Sequence, residues 1–148
     1  QGAQMDRPGR NMIRIRGIDH VVIRSENVAV LQAFYCTVLG CTPERKLDPE
    51  IGLVQLRAGN SLIDLVDVHA SLGQLGGPAP GKTAHNVDHF CLEIDPADEQ
   101  DVLDWLASHG IENLEFNRRY GANGFGRSVY VPDPDGNTVE LKLANPSA

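Results

Sequence analysis

Two short stretches decide the fold: Ile18-Asp19-His20-Val21-Val22-Ile23 and Val87-Asp88-His89-Phe90-Cys91-Leu92. Each sets an Asp-His pair between an apolar residue and an apolar run. Each reads as a strand, because four to eight residues rich in Val, Ile, Leu and Phe fit a pleated, partly buried surface. The same pair occurs once in each half of a 148-residue chain. A module repeated only twice is no solenoid; it predicts two pseudo-symmetric units.

The order of parts supports this. In the first half, a strand over 12–23 is followed by Ser25-Glu26-Asn27, where Ser and Asn suit a helix N-cap. Val28, Leu31, Phe34, Tyr35, Val38 and Leu39 then recur at helical spacing, and Gly40 ends the helix. Strands are expected over 41–47, 52–57 and 61–68. The second half repeats the order: a strand over 87–94, a helix opening at Asp95-Pro96 and closing at His109-Gly110, then strands over 111–116, 127–131 and 138–143. Asp133-Pro134-Asp135-Gly136-Asn137 supplies the tight turn before the last strand. The fold class is therefore α+β, with tandem βαβββ modules over 12–69 and 86–148. Residues 70–85 (ASLGQLGGPAPGKTAH) read as a linker or lid loop, and residues 1–11 as a loose arm.

Strand alternation places His20 and His89 on polar faces. Glu140 shares a face with Thr138 and Lys142, while Val139, Leu141 and Leu143 take the other. Asp64 stands likewise between Ile63 and Leu65. Each module thus opens on a strand bearing a His and ends on one bearing an acid. If both polar faces line one cup, His20, Asp64, His89 and Glu140 form an N2O2 donor set of charge −2. That set suits one divalent ion such as Zn, Ni, Co, Fe or Mn with positions left open. Asp19 and Asp88 fall on the opposite faces and are read as scaffold.

The bulk numbers exclude some classes. A net charge of −7 argues against general nucleic-acid binding. No run approaches the ~18 apolar residues of a membrane span. Three cysteines, Cys36, Cys41 and Cys91, with no CxxC pair, fit a reducing cytoplasm better than a disulfide framework.

The stretches GIDHVVI (17–23), AFYCTVLG (33–40), NVDHFCLEI (86–94) and SVYVPDPDGNTVELK (128–142) resemble the vicinal-oxygen-chelate superfamily. It includes glyoxalase I, fosfomycin-resistance thiol transferases, extradiol dioxygenases and bleomycin-binding proteins. The resemblance implies a cupped, barrel-like mixed sheet with helices outside. It implies one divalent metal, held where His20, His89, Glu140 and Asp64 stand, with Asp replacing the more usual Glu or Gln at position 64. It implies a homodimer, in some members with a cup built from two chains. Arg24 falls where glyoxalase I-like enzymes hold a substrate carboxylate. Ser128 and Tyr130 fall where the fosfomycin enzymes have a Ser and a Tyr. Arg119 and Arg127, in a Gly-rich stretch expected to form a mobile loop, suit an anionic small molecule. The reading is a glyoxalase I-like lyase or isomerase, with Glu140 and then Asp64 as the candidate general base. The alternatives are a thiol transferase, an extradiol-type dioxygenase or a ligand-sequestering protein.

Overall fold

The computed structural model describes residues 12–146. The arm expected over 1–11 lies outside the described residues. In chain order the elements are β1 (His20–Ser25), α1 (Val28–Ala33), β2 (Thr42–Lys46), β3 (Leu53–Ala58), β4 (Ser61–Asp67), α2 (Ser71–Gln74), β5 (Phe90–Ile94), α3 (Glu99–Ser108), β6 (Asn117–Gly121), β7 (Gly124–Pro132) and β8 (Thr138–Leu143). A π-helical turn, Phe34–Val38, continues α1. Each half is the expected βαβββ unit.

The strands form two four-stranded mixed sheets, β1-β4-β3-β2 and β5-β8-β7-β6. The first strand of each module runs parallel to the last, and the remaining pairs are antiparallel. The repeat holds at residue level. Asp64 is in register with Val22, two residues after His20, and Glu140 with Cys91, two residues after His89. The sheets are not closed into a barrel, because side chains rather than strand pairing join the modules. Their apolar faces and helices share one core: Ile23, Leu31, Tyr35 and Leu65 pack in the same cluster as Leu106, Val129, Val139 and Leu141. Trp105 adds a bond across the modules, donating Nε1–H to the Val38 carbonyl at 2.8 Å.

A buried polar hub completes the junction. Asp133, 5% exposed, accepts the amides of Asp135 and Asn137 at 2.9 Å each, the Asn137 side chain at 2.8 Å and the Tyr35 hydroxyl at 2.8 Å. Ser25 donates to Asp135 at 2.6 Å, and Asn86 bridges the Asn137 side chain and the Arg24 backbone. Two motifs about a hundred residues apart, the Tyr of AFYC and the Asp-Pro-Asp-Gly-Asn turn, are thus halves of one contact.

Several boundaries shift. The strand expected from residue 12 begins only at His20. Its partner β4 starts at Ser61 beyond a tight turn, where the Leu62 amide donates to the Asp19 carbonyl at 3.1 Å and the ladder begins. α3 starts at Glu99, since the Asp98 side chain caps it by accepting the amides of Gln100 and Asp101. The strand expected over 111–116 is replaced by β6, and the Arg-rich stretch forms a hairpin rather than a loop. Gly124, at φ 89°, closes that hairpin, and Tyr120 packs edge-on against Phe125 at 5.0 Å under the Arg118 guanidinium. The 70–85 linker carries the short α2 and an isolated bridge between Gly81 and Ala84.

Candidate functional site

The structure brings the four candidate ligands together as two pairs. In the second module Glu140, 6% exposed, lies on β8 and His89 one residue before β5; His89 Nε2 stands 3.3 Å from Glu140 Oε1. Two donors bound to one ion at ~2.0–2.2 Å each stand about 3 Å apart, so this spacing already suits a shared cation. In the first module Asp64 is 3% exposed on β4, and its charge acts on His20. Gln55 donates to Asp64 Oδ2 at 3.1 Å, and Arg45 in turn holds the Gln55 carbonyl at 2.6 Å. Asp64 Oδ1 is buried with no hydrogen-bond partner. A buried carboxylate oxygen left without a donor carries an uncompensated desolvation cost, which a cation would relieve. Among the described residues no three His, Cys, Asp or Glu side chains converge on one point. The four candidates thus fall into two groupings, His89 in contact with Glu140, and His20 under the charge of Asp64.

Both histidines are oriented in the same way. Asp19 Oδ1 is 2.7 Å from His20 Nδ1, and Asp88 Oδ2 is 2.7 Å from His89 Nδ1. This corrects the reading of the two aspartates as scaffold on the opposite face. Both Asp-His pairs straddle or precede the strand start, where alternation does not yet govern direction. A carboxylate on Nδ1 fixes the proton there and leaves the Nε2 lone pair to face the site. The Asp19 hydrogen bond, partly offset by desolvation and aided by the Asp64 charge, raises the His20 pKa above the ordinary imidazole value.

The other candidates divide. Tyr130 is in register with Glu140 and Ser128 with Lys142, so both share the polar face of the second sheet. Arg119 joins them: it donates Nη1–H to the Ser128 carbonyl at 2.7 Å and hydroxyl at 3.0 Å, and lies 4.0 Å over the Tyr130 ring. Tyr130 meets His89 edge-on at 5.3 Å. Arg127 points away, paired with Glu99 of α3 at 2.8 and 3.0 Å. Arg24 lies under the linker, its Nη groups donating to the carbonyls of Gly73, Gly77 and Pro78, while its buried Nε has no hydrogen-bond partner. Gly76 leaves room for it; a Cβ there would lie 2.4 Å from Arg24 Nε. Cys91 shares the Glu140 face, but burial above all, and the Glu140 charge, push its thiol up to about 11, so it stays a protonated thiol at neutral pH.

Gln55 and Lys142 were not among the expected site residues. Alternation alone would have found them, since Gln55 faces Asp64 across β3 and Lys142 follows Glu140 by two.

Comparison with known proteins bears on the fold and the family. No curated protein matches the chain. Among solved structures, an integron cassette protein from V. Cholerae is 22% identical, covering 91% of this chain and 100% of its own at a TM-score of 0.70. A virulence protein from Salmonella typhimurium is 26% identical over 90% of this chain and 100% of its own, TM-score 0.67. A lactoylglutathione lyase from Agrobacterium tumefaciens is 25% identical over 88% and 95%, TM-score 0.62. The sequence model of the Glyoxalase/Bleomycin resistance protein/Dioxygenase superfamily matches residues 17–141, from just before the first Asp-His pair to just past Glu140, and the chain belongs to that superfamily.

Proposed function

We propose that the protein is a divalent-metal-dependent lyase or isomerase of the glyoxalase I type, acting on a small anionic substrate chelated through neighbouring oxygens. The observation that carries this is the paired half-site: a histidine whose Nδ1 is held by an aspartate, beside a buried carboxylate, present once in each module. The unsatisfied Asp64 Oδ1 and the likeness to a lactoylglutathione lyase support it. His20, Asp64, His89 and Glu140 would hold the ion, which supplies Lewis-acid stabilisation of an oxyanion next to a carbonyl. Glu140 is the first candidate to take and return a proton on a carbon bearing one of those oxygens, with Asp64 as the second. Tyr130 and Arg119 wall the His89 side and favour a negatively charged substrate.

Two half-sites on one chain call for a second copy, and we place the complete centre between the modules of two chains. The polar faces are open: the His20 and His89 side chains are 46% and 35% exposed. Ile18, two residues before His20, and Val22, in register with Asp64, are exposed apolar side chains that association would cover.

The central test is Glu140→Gln. Turnover is expected to fall by ~10²–10⁴-fold while the divalent ion is still bound; wild-type-like turnover would remove Glu140 from the proton transfer. Asp19→Asn and Asp88→Asn test the ring orientation. Each is expected to weaken metal affinity by ~10–100-fold in competition with a chelator, and unchanged affinity would return both residues to a scaffold role.

A thiol-transferase reading is favoured by the Arg119–Ser128–Tyr130 cluster beside His89. Turnover of an epoxide only with added thiol would select it over the isomerase.

A further inference from the structure

Lys142 is the least explained charge in the molecule. It lies on β8, two residues beyond Glu140 and on the same face, and is 5% exposed. It donates to the Gly124 carbonyl at 2.6 Å. Among the described residues no carboxylate comes within 4.0 Å of its ammonium group. The two acids nearest in register are engaged elsewhere: Glu93 accepts from Asn123 at 2.9 Å, and Glu140 stands beside His89. A buried ammonium with one carbonyl acceptor and no counter-ion is costly, so packing alone does not account for it. The repeat makes the same point. In the first module Val66, paired with Arg24 as Lys142 is with Glu93, fills the equivalent position and is buried. The fold itself therefore has no need of a cation there. The surrounding chain makes room for the side chain. A Cβ at Gly121 would lie 3.1 Å from Nζ, and one at Gly126 would lie 3.0 Å from Cε.

Lys142 opens onto a cleft of about 310 Å³ whose walls also include Cys91, Glu93, Tyr120, Asn123 and Glu140. We infer that this cleft is the subsite for the acidic end of the substrate, and that it takes a singly charged, hydroxylated carboxylate whose carboxylate lies on Lys142. The charge count limits the ligand. With Glu140 committed to the proposed ion, the cleft holds, among the described residues, one free cation, Lys142, and one free carboxylate, Glu93, so a second negative charge finds no partner and a dianion such as phosphate is disfavoured. A monoanion with a hydroxyl group satisfies both sides, its carboxylate meeting the ammonium and its O–H donating to Glu93. The inference deepens the proposed function and rests on it for the reacting carbon lying next to Glu140.

The test uses the whole chain, as purified and after chelation, with L-lactate as the probe and inorganic phosphate as the dianionic control. Calorimetric titration of wild type, Lys142→Met and Lys142→Arg is expected to show lactate binding in wild type. It should be weakened about tenfold or more in Lys142→Met, retained in Lys142→Arg, and stronger than phosphate binding throughout. Equal lactate affinity in Lys142→Met, or phosphate binding as tightly as lactate, overturns the assignment. Thermal melts check that Lys142→Met folds. Amide shifts in the wild-type protein need no variant: lactate is expected to move Tyr120, Gly121 and Asn123, and shifts confined to other residues reject the cleft. Lactate binding that survives chelation, together with no divalent uptake, would reject the metal centre and leave the anion subsite standing.

Discussion

Asp133→Ala, in the buried junction between the modules, is expected to destabilise the protein by about 3–5 kcal/mol. The side chain is nearly fully buried and accepts four hydrogen bonds. Its loss strands the Tyr35 hydroxyl and two turn amides in a water-poor junction. Bonds to a charged acceptor contribute ~1.5–3 kcal/mol each, and groups left unsatisfied cost ~1–3 kcal/mol more, although such effects overlap and do not sum. For a domain of this size the melting temperature should drop by roughly 10 °C. Tyr35→Phe removes one donor and leaves Asn137 on the same carboxylate oxygen, so it should cost only about 1 kcal/mol.

The hub also sets an alkaline limit. Burial first, then the Asp133 charge and hydrogen bond, raise the Tyr35 pKa far above the ordinary phenol value. The folded state therefore holds a proton that the unfolded chain releases near pH 10. The stability contribution is complete below that value and is lost as pH climbs beyond it. Thermal melts across pH 8–11 check both points: Asp133→Ala melting within about 2 °C of wild type, or the same alkaline loss in Tyr35→Phe, would show that the junction does not rest on this contact.

The hub also marks what the sequence made legible. The βαβββ repeat could be read because two physical signals recur in both halves, strand-like apolar runs after an Asp-His pair and an acid alternating with Leu and Val in the last strand. Alternation gave the faces of Asp64 and Glu140, whereas their register, each paired with the residue two after its module's histidine, came from the structure. Three further things were not legible. Tyr35 and Asp133 lie far apart in the chain, and nothing local to either announces a bond between them. The roles of Asp19 and Asp88 depend on backbone direction at a strand start, where period-two reasoning has no purchase. The fates of Arg24 and Arg127 were set by neighbours, linker carbonyls in one case and Glu99 in the other. A guanidinium binds whatever acceptor tertiary structure brings within reach, so sequence position alone locates it poorly.

How the two half-sites combine is the second consequence with a large expected effect. A variant lacking the first pair, His20→Ala with Asp64→Ala, and a variant lacking the second, His89→Ala with Glu140→Ala, should each bind almost no divalent ion. Each centre we propose takes one pair from each of two chains. When the two variants are co-refolded in equal amounts, random pairing makes about half of the dimers mixed. A mixed dimer unites the intact pair of one chain with the intact pair of the other in one centre, and two damaged pairs in the second. Metal content should recover to about a quarter of the wild-type value, with activity rising in step. A centre assembled within one chain predicts no recovery, because every chain in the mixture then lacks half its ligands. The contrast does not depend on the identity of the metal or the substrate. Asp64→Ala empties a buried position and costs stability of its own, so Asp64→Asn is the control: it keeps the volume and the Gln55 contact while removing the charge. Recovery near a quarter places the boundary of the site between chains, and its complete absence, with both variants folded and dimeric, returns all four residues to one chain or removes the metal altogether.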